Sequence, residues 1–276
     1  MISFTGEKDG VRVAAVQMVS GPDVMANIET ARTLVVQAKN LGARLVVLPE
    51  YFPVMGMKDT DKLLVSESFG TGPIQDFLSQ TARSSQLWIV GGTLPIKAAT
   101  PDRVRNSCLV FDDQGVLRAR YDKIHLFGMD FGGECYRESD TIESGRDIVA
   151  LDSPFGRIGL SICYDLRFPE LYRQMGEVDI LCIPSAFTEL TGQAHWEVLL
   201  RARAIENLAY VIASGQGGIH PSGRETHGNS MIVDPWGVVV KRLGKGPGLV
   251  LADLSAERRQ RLREGLPALK HKILLM

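Results

Sequence analysis

Leu45-Val46-Val47-Leu48 is an unbroken apolar run that stops at Pro49-Glu50. No polar residue alternates through it, so the strand it predicts, over residues 44–48, is buried on both faces. That state belongs to sheets covered by other layers, not to a sheet with one wet face. Similar strands are predicted over 11–18, 87–91, 157–162, 179–184 and 209–214. A hairpin is expected from 104 to 120, turning at Asp112-Asp113-Gln114-Gly115, and two or three β segments between 228 and 252. Helices are predicted over 23–41, 73–84, 169–175, 193–207 and 255–264. In the first, Asp23 is the N-cap and Ile28, Ala31, Val35 and Ala38 share one face. Alternating strands and helices argue an α/β fold, and the late hairpin strands argue a mixed sheet. With no linker, repeat or low-complexity stretch, residues 1–276 read as a single domain with its core at about 11–265.

In open α/β sheets, chemistry gathers beyond the carboxyl ends of strands. Glu50 stands at one such end and Cys163 at another, in Gly159-Leu160-Ser161-Ile162-Cys163-Tyr164-Asp165. Pro169 marks a helix start shortly after. A thiol on a strand-to-helix turn is exposed and faces a helix N-terminus, which favours the thiolate. Gly-x-Ser-x-Gly, the serine version of such a turn, is absent. A lone cysteine is more often core filler than nucleophile. A glutamate after a strand is usually solvated, and Lys123 beside Ile124 is unremarkable alone. Together the three form a chemical set. A glutamate takes the thiol proton and later delivers one to a leaving group. A lysine lowers the thiol pKa and stabilises an oxyanion.

Composition excludes other classes. A formal charge of −1 over 276 residues gives no electrostatic case for nucleic acid or an acidic membrane surface. No apolar run reaches a bilayer span. Residues 1–10 lack the basic and apolar regions of a signal peptide, so the expected address is the cytosol, where thiols stay reduced. The cysteines Cys108, Cys135, Cys163 and Cys182 form no Cys-x-x-Cys pair, and no histidine is spaced for zinc. Cys108 and Cys182 lie in apolar runs and read as core, Cys135 as a loop residue. Gly215-Gln216-Gly217-Gly218 is too short for a dinucleotide fingerprint. Neither a cofactor nor a metal is expected.

Three patches carry a family resemblance: Leu48-Pro49-Glu50, Tyr121-Asp122-Lys123-Ile124-His125-Leu126 and Cys163-Tyr164-Asp165-Leu166-Arg167-Phe168-Pro169-Glu170. In order and spacing they resemble the signatures of the nitrilase superfamily, the carbon–nitrogen hydrolases, from about Val11 to the C-terminus. Pro184-Ser185-Ala186-Phe187, Thr191-Gly192-Gln193-Ala194-His195-Trp196-Glu197, Arg201-Ala202-Arg203-Ala204-Ile205-Glu206-Asn207 and Asp234-Pro235-Trp236-Gly237 resemble the branch of deaminated glutathione amidases and ω-amidases, the former most closely.

The resemblance implies an α-β-β-α sandwich of two mixed sheets with outer helices. It also implies a Glu-Lys-Cys triad. Glu50 is the general base and acid, Cys163 the nucleophile that carries the acyl group as a thioester. Lys123 and the backbone N–H of Tyr164 hold the oxyanion. The reaction is hydrolysis of the amide of a small 2-oxo acid, releasing ammonia. A second family glutamate matches Glu138, with Glu134 as competitor; Ser144 replaces the family's proline in the turn that follows. Arg167 matches a carboxylate-binding arginine of related carbamoylases; alternatively it pairs with Asp165 or Glu170. Phe187 and Thr188 line the pocket, with Tyr51 and Phe52 as further candidates, while His125 and His195 read as structural. Helix 193–207, with Glu197, Arg201, Arg203 and Glu206 on one side, is either a solvated face or a homodimer interface. Alternative readings are an ω-amidase, an N-carbamoyl amino acid hydrolase, an aliphatic amidase or a nitrilase, and last a non-catalytic interaction protein.

Overall fold

The computed structural model describes residues 10–273. The stretch read above for a leader lies, but for Gly10, outside them. In chain order the first half contains β1 (Val11–Gln17), α1 (Val24–Asn40), β2 (Leu45–Val47), α2 (Asp61–Leu64), α3 (Pro73–Ser85), β3 (Trp88–Val90), β4 (Leu94–Lys97), β5 (Val104–Phe111) and β6 (Leu117–Asp122). Two short strands follow, β7 (Gly128–Phe131) and β8 (Glu134–Arg137). The second half contains β9 (Ala150–Ser153), β10 (Gly156–Leu160), α4 (Pro169–Gln174), β11 (Ile180–Ser185), α5 (Glu189–Asn207), β12 (Tyr210–Gly215), β13 (Gly217–Ile219), β14 (Glu225–His227), β15 (Met231–Val233), β16 (Val239–Arg242), β17 (Gly248–Leu254) and α6 (Ala256–Gly265).

Two mixed sheets form the centre. One runs β17-β1-β2-β3-β5-β4 with β6 also on β5, the other β16-β15-β12-β11-β10-β9. β1, β2 and β3 are parallel, as are β10, β11 and β12, and the flanking strands are antiparallel. The apolar runs are explained by alternate residues that face different layers. Val13, Ala15, Leu45 and Val47 meet Ile158, Leu160, Ile180 and Cys182 of the second sheet. Ala14, Val16, Val46 and Leu48 meet Ile28, Ala31, Val35 and Ala38 of α1. Trp196, Leu200 and Ala204 of α5 cover the second sheet from outside. The result is the expected α-β-β-α sandwich, with the two parallel cores stacked face to face and their carboxyl ends available for a site.

Several elements differ from the sequence reading. The expected loop at 132–136 belongs to a hairpin over residues 128–137, whose turn residues Gly132 and Gly133 both have positive φ (65° and 81°). Such a turn suits a two-residue hairpin. Its strands are largely exposed, so no apolar alternation marks them. β4 is an additional strand; it contains Pro95 but sits at a sheet edge, where a missing N–H is tolerated. α5 begins four residues before its predicted start, because Thr188 caps it by accepting from Thr191 N. Arg203 does not belong to a solvated face. It is buried, and its Nε and Nη2 donate to Leu166 O at 3.1 and 2.9 Å. Asp23 does cap α1, accepting from Met25 N and Ala26 N.

Candidate active site

Glu50 leaves β2 on a turn held from three directions. Gln216 Nε2 donates to Glu50 O at 3.1 Å, Tyr51 N donates to Thr93 Oγ1 at 2.8 Å, and Thr93 N donates to Pro49 O at 3.3 Å. The side chain is 1% exposed. Its Oε1 accepts from Lys123 Nζ and from Asn106 Nδ2, both at 2.9 Å. Among the described residues no hydrogen bond reaches Oε2, the oxygen left for the chamber that Glu50 and Cys163 line together.

Lys123 follows β6 directly. It is fully buried and its ammonium also donates to Glu138, at 2.8 and 3.0 Å. Burial alone would lower its pKa, but Glu138 and Glu50 outweigh this and raise it above the ordinary lysine value, so it stays charged. Glu138 follows β8. Burial raises its pKa, yet Lys123, Phe127 N at 2.7 Å and the Tyr51 hydroxyl at 2.8 Å hold it net below the usual carboxylate range. Of the two candidate glutamates, Glu138 reaches the lysine. Glu134 lies in the hairpin, where its buried Oε2 finds no hydrogen-bond partner.

Cys163 opens a short 3₁₀ turn, Cys163–Arg167, and α4 begins only at Pro169. The nucleophile candidate is therefore not at the start of the α-helix. Its φ of +50° is left-handed, an uncommon state for a residue with a side chain. Asp165 over-determines the turn. Fully buried, it accepts from Ile162 N, His125 N and the Tyr121 hydroxyl at 2.9, 3.0 and 2.7 Å, and lies 2.7 Å from His125 Nδ1. The lysine segment and the cysteine turn are thereby tied to one carboxylate. Opposing influences act on the thiol at this turn. Burial, then Glu50, push the Cys163 thiol well above its ordinary pKa, against the opposing pull of Lys123 and of a backbone hydrogen bond from Ala186. A thiol this basic needs an adjacent proton acceptor to attack.

Tyr164, Arg167, Phe187 and Thr188 all line the Cys163 chamber. Arg167 pairs with neither Asp165, whose oxygens are taken, nor Glu170. Its guanidinium lies over Tyr164 (5.7 Å) and Phe187 (5.5 Å), with Nη1 3.1 Å from His195 Nδ1. Phe52 is core, whereas Tyr51 reaches Glu138. His125 stacks on Phe168 at 3.7 Å. Cys108 and Cys182 are buried and Cys135 is exposed. Sequence reasoning missed Asn106 and Arg224. Asn106 left no clear signal, because Arg105 and Ser107 flank it in the polar first half of β5. Arg224 left none, because it sits on the connection between β13 and β14 with no periodicity. Among the described residues no cluster of three or more His, Cys, Asp or Glu could hold a metal ion.

The sandwich and its buried Cys, Lys and carboxylate set define a class. The carbon-nitrogen hydrolase family matches residues 12–264, and the chain belongs to it, within the nitrilase superfamily. Its relatives carry more specific names. It is 41% identical over 266 residues to the deaminated glutathione amidase of Synechocystis sp. strain PCC 6803, covering 94% of this chain and 97% of that one. To the Homo sapiens deaminated glutathione amidase it is 39% identical over 269 residues, covering 94% and 81%. Among solved structures it is similar to Saccharomyces cerevisiae Nit3, a member of branch 10 of the nitrilase superfamily (TM-score 0.85, 32% identity, 93% and 94% covered). It is also similar to the C. elegans NitFhit protein (TM-score 0.86, 35% identity), matching 96% of this chain but spanning 65% of that one. The protein is an enzyme that hydrolyses carbon–nitrogen bonds.

Proposed function

We propose that this hydrolase is a cysteine-dependent amidase of small 2-oxo acid amides such as deaminated glutathione, with Glu50, Lys123 and Cys163 as its catalytic triad and Glu138 as a supporting glutamate. One observation carries the reading: a fully buried lysine bridges two carboxylates, and both line a water-sized chamber with a cysteine. The names of the relatives support the substrate class. Glu50 takes the Sγ proton as sulfur bonds to the amide carbon. Lys123 and the Tyr164 N–H hold the oxyanion, an effect worth about 2.7–4 kcal/mol per donor. Glu50 passes its proton to the departing nitrogen and the C–N bond breaks. Glu50 then takes a proton from water, the oxygen attacks the thioester, and Cys163 leaves as the thiol. Glu138 keeps Lys123 charged and oriented. Arg167 faces the chamber without a carboxylate partner and is suited to clamp one from the substrate.

The leaving group depends on the amide. A primary amide releases ammonia, but the scissile nitrogen of deaminated glutathione belongs to cysteinylglycine, so the dipeptide amine leaves instead. The ammonia expected from the resemblance therefore applies to the ω-amidase type of substrate. We further infer one catalytic domain, a cytosolic enzyme whose thiol stays reduced, and a homodimer. No described helix is long and apolar enough to cross a membrane.

The test is turnover of deaminated glutathione, α-ketoglutaramate, a carbamoyl amino acid and a nitrile side by side. Release of cysteinylglycine, abolished in Cys163→Ala, is the expected result. Turnover of the nitrile alone would sink the amidase reading, and unchanged activity in Cys163→Ala would sink the triad.

A further inference from the structure

We infer that a cavity beside the Cys163 chamber is a second, cationic subsite, in which Lys62 and Arg224 hold a carboxylate of the substrate remote from the scissile amide. The inference rests on the amidase reading and sharpens its substrate class to dianionic amides. The chamber at Cys163 holds about 10 Å³, room for little beyond the reacting group. The neighbouring cavity holds about 290 Å³, and the two share Phe127, Glu138 and Arg224 as common wall. An extended substrate whose carbonyl meets Cys163 therefore runs into this cavity.

Its charge is lopsided. Lys58, Lys62, Arg137 and Arg224 line it against Asp59 and Glu138, and the Glu138 charge is already taken by Lys123. Lys62 is only 12% exposed. Its ion-pair partner, Asp59 at 4.0 Å, is 72% exposed, a pairing of little strength. Its ammonium donates to Thr141 Oγ1 at 3.1 Å. Burial pulls Lys62 below the ordinary lysine value despite Asp59 and Glu138, a desolvation cost that a bound anion offsets. Arg224 lies over the Tyr136 ring at 5.0 Å and donates through Nη2 to Ala186 O at 3.2 Å. Its Nε is buried with no hydrogen-bond partner, and no described carboxylate pairs with the guanidinium. An unused donor on a buried guanidinium fork is a specific receptor for a carboxylate. Arg167 then serves one carboxylate and this subsite the other.

The experiment compares deaminated glutathione with its glycine carboxamide, which differs only in the tail charge. Calorimetry on Cys163→Ala reads binding apart from turnover, and kcat/KM is measured in the active enzyme. The free acid is expected to bind roughly 10- to 100-fold more tightly, the range for hydrogen bonds to charged groups. Lys62→Met and Arg224→Gln should each erase most of that preference, while Lys62→Arg retains it. Lys39→Met, on α1, serves as a control that keeps it. Equal binding of the two compounds, or a preference that survives both Lys62→Met and Arg224→Gln, overturns the subsite. Binding preference without turnover supports the subsite and rejects only the amidase reading.

Discussion

At the scale of single residues, the chamber is organised by one proton. Glu50 raises the Cys163 thiol pKa while Lys123 lowers it, both secondary to burial. Removing the Glu50 charge takes away one upward contribution. In Glu50→Gln the pH midpoint for iodoacetamide labelling of Cys163, read by site-resolved mass spectrometry, should therefore fall, while turnover drops at least ~100-fold for want of a general base. An unmoved or higher midpoint would show that Glu50 does not face the thiol. Glu138 makes an opposite statement about stability. Its folded pKa lies below the ordinary carboxylate value, so its ion pair with Lys123 stabilises the fold above that value and is lost as pH falls through the folded pKa. Glu138→Gln should cost on the order of 2 kcal/mol at neutral pH, with the gap to wild type closing below roughly pH 4 in urea titrations. A gap that persists in acid would mean that the loss is one of packing and not of charge.

Among the elements, the connection between β3 and β4 decides where Glu50 points. Gly92 has a φ of +55°, and a Cβ there would lie 2.1 Å from Pro49 O. Thr93 in the same turn grips both sides of Glu50. Gly92→Ala is thus expected to cost about 2 kcal/mol or more, from backbone strain and the clash, and to lower kcat by displacing Glu50. Thermal unfolding with steady-state kinetics checks it; a variant with wild-type kcat would separate this turn from the site. α5 acts in a similar way from the other side. Arg203 reaches from its buried face to Leu166 O, so the helix buttresses the turn that opens with Cys163.

At the scale of the whole molecule, apolar surface is left beside α5. Val198 is 67% exposed, and Ile205, Trp236 and Val238 are also exposed. Ile205 would be touched by a Cβ at Gly237, which places the 234–238 turn against the helix. This is the face proposed to pair in a homodimer. Sedimentation velocity should show a dimer at micromolar concentration, and Val198→Asp together with Ile205→Asp should shift it to monomer. A monomeric wild type would leave the face unpaired and the dimer reading wrong.

Much of this was present in the order of residues. Uninterrupted apolar strands required layers on both sides of a sheet, because the apolar residues of β1 and β2 alternate between the other sheet and α1. Glu50, Lys123 and Cys163 stood out as reactive residues at the ends of strands. The sequence alone therefore determined the layered α/β architecture and nominated the reactive groups, since periodicity and strand ends are local properties. Which groups share a chamber was decided only by the tertiary structure. Glu138 over Glu134, the inward turn of Arg203, the raised thiol pKa and the cationic cavity with Arg224 all follow from side chains brought together across distant segments. Burial and charge act through space, and nothing in the local pattern of 128–137 or 220–227 encodes what those segments will face.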